Sequence, residues 1–207
     1  MIGLSGSHRS GKSTLARAFS EKHGVPFVQT SASAVFEEMG LDPAKTYDFD
    51  TRLKVQEEIL VRFDKLYAQY ACVELAIADR TPLDLASYLV GDVSNETLSE
   101  SQEERLDKYV SECFAVCNKR FSIVLVVQPG IEVVPMKGKA SASLGYREHL
   151  NSLVLGFSVD ERLLSSHFYV PRTMLNLDER VDAVEYAVQR SRERALSQRQ
   201  ALDISVH

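Results

Sequence analysis

The sequence has no excess of positive charge, no long apolar run and few cysteines, and each shortage removes a class of protein. Lys and Arg number 24 against 29 Asp and Glu, a formal charge of −5 at pH 7. Surfaces that hold a nucleic-acid backbone carry a positive excess, so this composition argues against nucleic acid as a partner. No stretch approaches the ~18 apolar residues of a membrane helix, and the first strand begins at Met1 with no charged-then-apolar leader. The expectation is a soluble, cytoplasmic protein with no membrane partner. The three cysteines, Cys72, Cys113 and Cys117, form no CxxC pair and have no histidine companion, which excludes a zinc site and a disulfide framework. Cys113 and Cys117, four apart beside Tyr109, Val110 and Phe114, read as core thiols. Low-complexity tracts, internal repeats and a Pro/Gly/Ser linker are also missing. The 207 residues therefore read as one α/β domain with room for a small lid.

What is present is an alternation of apolar runs and amphipathic stretches. Strands are predicted at Met1–Ser5, Val25–Gln29, Cys72–Asp79, Phe121–Val127 and His167–Val170. Between them, helices are predicted from Gly11 to His23, where Gly24 ends the turn, and from Thr30 to Met39. A long helix carries Phe49, Leu53, Leu60, Phe63, Tyr67 and Tyr70 on one stripe. Thr81-Pro82-Leu83-Asp84 has the form of a capping box with proline at the first helical position, and Asn176 with Glu179 opens the last helix similarly. The acidic stretch Gly91–Glu103 reads as a solvated loop, and the segment from Arg190 onward as a polar tail. Five strands alternating with helices imply a mostly parallel five-stranded sheet covered on both faces, a three-layer α/β fold.

Gly6-Ser7-His8-Arg9-Ser10-Gly11-Lys12-Ser13, followed by Thr14, sits between the first strand and the first helix. The spacing GxxxxGK[ST] lets backbone N–H groups curl around a β-phosphate while Lys12 reaches the β- and γ-oxygens and Ser13 offers its hydroxyl to Mg²⁺. The helix N-terminus adds partial positive charge. Average residue usage yields such a match by accident only about once in a hundred chains of this length, and the flanking strand and helix lower that further. His8, in the variable part of the loop, is expected to be an exposed side chain rather than a catalyst.

A second polar point should face the phosphates from a neighbouring strand end, and Asp79-Arg80 is the candidate. Asp79 can organise the metal or accept a substrate proton, and Arg80 can neutralise the migrating phosphoryl group. Asp84 is explained by the capping box and is read as structural. Asn118-Lys119-Arg120-Phe121 lacks the aspartate of a guanine-reading NKxD element. Asp79 begins no DxxG switch and is followed by arginine rather than the second acid of a motor ATPase. Hydrolysis by a switch or motor therefore becomes the minor reading.

The order GSHRSGKST, TSASAVFEEMG, FDTRLKVQEEIL, ADRTPLD and LDERV resembles the small P-loop kinases of nucleosides and nucleotides, including the nicotinamide riboside kinase-like family and phage-type deoxynucleotide kinases. Asp79-Arg80-Thr81 is similar to the DR[ST] element of deoxynucleoside kinases. The resemblance implies a P-loop kinase fold with an acceptor-binding insertion at about 30–70 and a lid at about 130–147. It also implies transfer of the γ-phosphoryl group of ATP, with Mg²⁺, to a nucleoside or (deoxy)nucleoside monophosphate. Lys12, Asp79 and Arg80 would then be catalytic, and Ser13 and Asp79 would hold the metal. Arg52 and Gln56 share one helix face and meet either the acceptor or solvent. Lys137, Lys139, Arg147 and Arg172 are lid candidates, equally readable at the lysines as exposed charge, with the arginines expected at the surface. The segment 129–146 lacks the arginine density of a typical lid. A P-loop ATPase or nucleotide-binding regulator, and a polynucleotide 5′-kinase, are the alternatives. The acceptor's identity and the oligomeric state stay open, a homodimer included.

Overall fold

A computed structural model describes residues 1–43, 45–132 and 143–205. Five strands, β1 (Ile2–Ser5), β2 (Phe27–Val28), β3 (Ile77–Ala78), β4 (Ile123–Val127) and β5 (Ser166–Val170), form one parallel sheet in the order β2-β3-β1-β4-β5. Residues Ile2 to Ser5 run in register beside Ile123 to Val126, and Ile2 and Gly3 beside Ile77 and Ala78. All five strands point the same way, so their carboxyl ends share one edge. The first strand lies at the middle of the sheet, and the loop leaving it lies between those leaving β3 and β4. In open α/β sheets that edge is where ligands bind.

Among the described residues six helices connect the strands, α1 (Lys12–His23), α2 (Ser33–Glu38), α3 (Phe49–Ala68), α4 (Pro82–Val93), α5 (Glu100–Arg120) and α6 (Leu144–Ser158), and α7 (Leu177–Ser205) follows the last strand. Side-chain alternation along the strands sorts the core into two layers. Ile2, Leu4, Ile77, Ile123, Leu125 and Val127 pack against Leu15 and Phe19 of α1 and Val181 and Val184 of α7. Ala78 and Val124 face the other layer, with Leu85 and Leu89 of α4 and Cys113, Phe114 and Cys117 of α5. The two thiols are buried as expected, and burial pushes Cys113 up to about 12. On α3, the stripe from Phe49 to Tyr67 is buried against α4 and α5. Among the described residues no helix is long and apolar enough to cross a membrane.

Several boundaries differ from the sequence reading. The run Cys72–Asp79 yields only a two-residue strand, because β2 is itself two residues long and residues 72–74 stand exposed before the pairing begins. The second helix starts at Ser33 rather than Thr30, since Thr30 is drawn to Asp79. Gly91 does not end α4. It lies inside the helix where α6 crosses, and a methyl there would stand 3.1 Å from a Leu150 methyl. The loop thus shrinks to residues 94–99, and Ser99 with Gln102 makes a capping box for α5. The polar tail from Arg190 continues α7 to Ser205, with Gln189 and Arg190 both bonded to Glu193 across one turn.

Candidate active site

The phosphate loop leaves β1 at Ser5 and enters α1 at Lys12. Three of its residues take left-handed backbone: Gly6 (φ 147°), Arg9 (φ 54°) and Gly11 (φ 90°). A side chain at Gly6 would stand 2.4 Å from the Val127 carbonyl oxygen, so only glycine fits between β1 and β4 there. The Gly6 N–H donates to Asp84 Oδ1 at 2.8 Å, and the Thr81 N–H donates to Asp84 Oδ2 at 2.9 Å. Asp84 is therefore more than the helix cap inferred from sequence: one carboxylate fastens the start of the loop to the start of α4. Burial raises its pKa against the pull of Lys12.

Lys12 is 8% exposed, and its Nζ donates to the carbonyls of Gly6 at 2.6 Å and Ser7 at 2.9 Å. This puts the ammonium inside the curl of the loop. Burial pushes it down to about 8, with Arg80 adding to the fall and Asp84 and Asp79 opposing it. The hydroxyls of Ser7 and Ser10 are buried without a hydrogen-bond partner among the described residues. Buried donors of this kind are costly unless a ligand engages them, which fits a loop shaped for phosphate oxygens.

Ser13 and Asp79 meet as the sequence suggested, the Ser13 hydroxyl donating to Asp79 Oδ2 at 2.8 Å. Asp79 Oδ1 accepts from the Thr30 N–H at 3.1 Å and the Thr30 hydroxyl at 2.9 Å, a partner the sequence reading missed. The pair offers hard oxygen donors, and no cluster of three or more His, Cys, Asp or Glu stands ready for a metal among the described residues. Such a sparse set suits Mg²⁺, which keeps waters and takes phosphate oxygens alongside one or two protein ligands.

Next to the loop lies a cavity of about 520 Å³. Its walls come from His8, from α2 and the following loop (Phe36, Tyr47), from α3 (Arg52, Val55, Gln56, Ile59), from Arg80 and α4 (Leu85, Tyr88, Asp92), and from Tyr146 on α6. Both Arg52 and Gln56 thus face the cavity rather than bulk solvent. The Arg52 guanidinium donates from Nη1 to the Asp92 carbonyl at 2.9 Å and from Nη2 to Glu96, while its Nε is buried without a partner among the described residues. Gln56 Oε1 is buried and unpartnered among the described residues, an acceptor waiting for a donor.

His8 is not the exposed side chain expected. It is half-buried on the cavity wall, with Nδ1 3.0 Å from the Tyr88 hydroxyl and the two rings 4.7 Å apart. Burial, then Arg80, Lys12 and Arg9, push it down to about 4. The Arg80 guanidinium lies 5.7 Å from the centre of the Tyr88 ring. Tyr146 donates to Asp92 Oδ1 at 2.7 Å.

Of the four lid candidates, Lys137 and Lys139 lie outside the described residues. Arg147 is buried, 7% exposed, which corrects the surface expectation. It sits in the first turn of α6, where the helix turns inward against Ile131. Arg172 is exposed and doubly bonded to Glu148.

Arg180 went unnoticed in the sequence. It is 1% exposed, donating from Nη1 to the Ser10 carbonyl at 2.9 Å and from Nε to the Met174 carbonyl at 2.7 Å. It thereby ties α7 to the back of the phosphate loop. Its spacing carried a signal: Arg180, Val184 and Ala187 lie four and three apart on one buried helix face.

A family model described as an AAA domain matches residues 1–123. Among solved structures, deoxyadenosine kinase from M. mycoides with the products dCMP and dCDP superposes with a TM-score of 0.65 at 19% identity, covering 91% of this chain and 98% of that one. The YorR protein of Bacillus subtilis, in complex with phosphorylated GDP, gives 0.51 at 15% identity over 91% and 95%. The NadR protein in complex with NAD and AMP-PNP gives 0.64 at 15% identity over 90% and 48%. At these identities the likeness is one of fold, and it is the P-loop kinase fold. No curated protein matches at a significant level.

Proposed function

The chain belongs to the AAA domain family, and we propose that its phosphate loop is a nucleotide site and that it is an ATP-dependent kinase acting on a nucleoside or nucleoside monophosphate, a deoxy compound in particular. One observation carries the reading: the cavity of about 520 Å³ adjoins the phosphate loop, and His8 belongs to both. A hydrolase needs room there only for water, whereas this volume falls within the range of small-molecule sites, which are lined by apolar and aromatic groups with a few polar ones. Phe36, Val55, Ile59 and Tyr88 are the walls on which a base would pack, and Gln56 Oε1 is the acceptor for a base N–H. Residues 30–70 supply much of this wall, which supports reading them as the acceptor-binding insertion. The deoxyadenosine kinase of like fold, with its product dCMP bound, supports a deoxy compound as the acceptor.

The roles follow from position. Main-chain amides of the loop, with the hydroxyls of Ser7 and Ser10, would bind the donor's phosphates, and Lys12 would move from the Gly6 and Ser7 carbonyls to phosphate oxygens. Ser13 and Asp79 would hold Mg²⁺, whose chemistry is to neutralise and align the phosphate oxygens. Arg80 would stabilise charge on the migrating group. Catalysis of this type is mostly positioning and electrostatics, which fits so few reactive side chains.

The test is incubation with ATP labelled at the γ-phosphate, Mg²⁺ and a panel of nucleosides and monophosphates. Label should appear in a phosphorylated acceptor and vanish with Lys12→Ala. Release of inorganic phosphate alone, indifferent to every acceptor, would favour an ATPase instead.

A further inference from the structure

We propose that the acceptor enters this cavity as an already ionised phosphate monoester, a nucleoside monophosphate, and that His8 and Arg80 receive its phosphate. The inference rests on the kinase reading above and narrows it. A hydroxyl acceptor must lose its proton as the new bond forms and so needs a base within hydrogen-bond reach. A monophosphate does not, because with a second pKa of about 6 it is largely a dianion at neutral pH.

Among the described residues no carboxylate lines the end of the cavity beside the phosphate loop. Asp79 does not line the cavity, and both its oxygens are taken, by Ser13 and by Thr30. Asp84 is likewise absent from the lining and is occupied by the N–H groups of Gly6 and Thr81. Among the described residues Asp92 is the only lining carboxylate, and the Tyr146 hydroxyl holds it. Asp92 stands eight residues beyond Asp84 on α4, about 12 Å along the axis at 1.5 Å per residue. That is too far for it to serve chemistry at the loop.

What the inner end does hold is donors. His8 is the one residue of the 6–13 loop that lines the cavity, and Arg80 lines it beside Tyr88. The Arg80 guanidinium, which can only donate, lies over the Tyr88 ring, 5.7 Å from its centre. With the buried Tyr88 hydroxyl donating to His8 Nδ1, 3.0 Å away, a neutral imidazole carries its proton on Nε2. In that arrangement the neutral His8 presents a hydrogen-bond donor to the cavity. It keeps that form at neutral pH, since its own titration falls near 4. Donors without a carboxylate beside them, near Lys12 and Arg9, suit a dianion better than an alcohol.

In the step, an oxygen of the acceptor's phosphate attacks the γ-phosphorus of ATP. The new P–O bond forms as the bond from the γ-phosphorus to its bridging oxygen breaks. ADP leaves with that oxygen, the acceptor becomes a nucleoside diphosphate, and no proton has to leave the nucleophile.

The experiment compares each nucleoside with its own 5′-monophosphate, using the wild-type protein, ATP and Mg²⁺, with products identified by ³¹P NMR. The best monophosphate should exceed its nucleoside by at least about 100-fold in kcat/KM, since a site built for a polar group rejects the analogue lacking it. Preferred transfer to the nucleoside, with a monoester product, overturns this inference while the kinase reading stands. Transfer to neither overturns both. With the best monophosphate, His8→Ala should raise KM about tenfold or more, and His8→Gln, which retains an N–H donor, should recover most of the loss. An unchanged KM in both variants removes His8 from the subsite.

Discussion

At the residue scale, Lys12 carries the most direct electrostatic consequence. Its ammonium is buried on its own loop's carbonyls and titrates near 8 rather than the ordinary 10.5. It is therefore charged below about pH 8 and loses its proton as the pH rises through that value. A polyphosphate beside it favours the charged form, so ATP binding near pH 8 should take up roughly half a proton. Titration calorimetry in buffers of different ionisation enthalpy reads this directly. An apparent enthalpy independent of buffer would mean that Lys12 does not meet the phosphates.

Arg180 is a second test at this scale, because its two hydrogen bonds join α7 to the phosphate loop through Ser10. Arg180→Met keeps the bulk but leaves the Ser10 and Met174 carbonyls without this donor, at a cost of about 2–3 kcal/mol. Denaturant melts should show that loss. Arg180→Lys should rescue little, since one ammonium cannot reproduce the guanidinium fork that spans both carbonyls.

Among the elements, the crossing of β1 with the start of α4 is a tight joint near the site. A methyl at Gly3 would stand 2.3 Å from the Thr81 methyl and 2.7 Å from the Phe121 ring. Thr81 also shares a short hydrogen bond with Ser5 and caps α4. Gly3→Ala should therefore cost about 1–3 kcal/mol in overpacking and slacken the phosphate loop with it. Equal urea midpoints for the variant and wild type would show the joint to be looser than drawn.

The same elements explain what was legible in the sequence. The phosphate loop and the Thr81 capping box could be read because their hydrogen-bond partners are close in the chain or repeat at fixed offsets. Gly91 misled because a glycine that admits a crossing helix looks the same in sequence as one that ends a helix. The third strand was overdrawn because apolar composition does not reveal that its neighbour pairs over two residues. His8, Tyr88, Asp92 and Tyr146 converge from segments up to 138 positions apart. No local pattern announces that meeting, so the cavity could be inferred only in outline, from Arg52 and Gln56 on one helix face.

At the scale of the whole molecule, a net acidic chain gathers cations beside the phosphate loop. The net charge is −5, while Lys12, Arg80 and Arg9 gather around His8. Such a distribution admits a small anion and discourages a polyanion. A labelled oligonucleotide should show no measurable binding at physiological salt in a fluorescence anisotropy titration. Tight, steeply salt-dependent binding would restore the polynucleotide kinase alternative.

For phosphoryl transfer the donor's phosphates and the acceptor must occupy adjoining compartments that open onto each other at His8. A single molecule joining adenosine to a nucleoside through an oligophosphate chain should fill both at once, and calorimetry measures its affinity against that of ATP. Binding at least about 100-fold tighter than ATP is the expected result, because the second moiety no longer loses its own translational freedom. Affinity no better than that of ATP would contradict the account, for it would mean that the cavity and the phosphate loop do not serve one reaction.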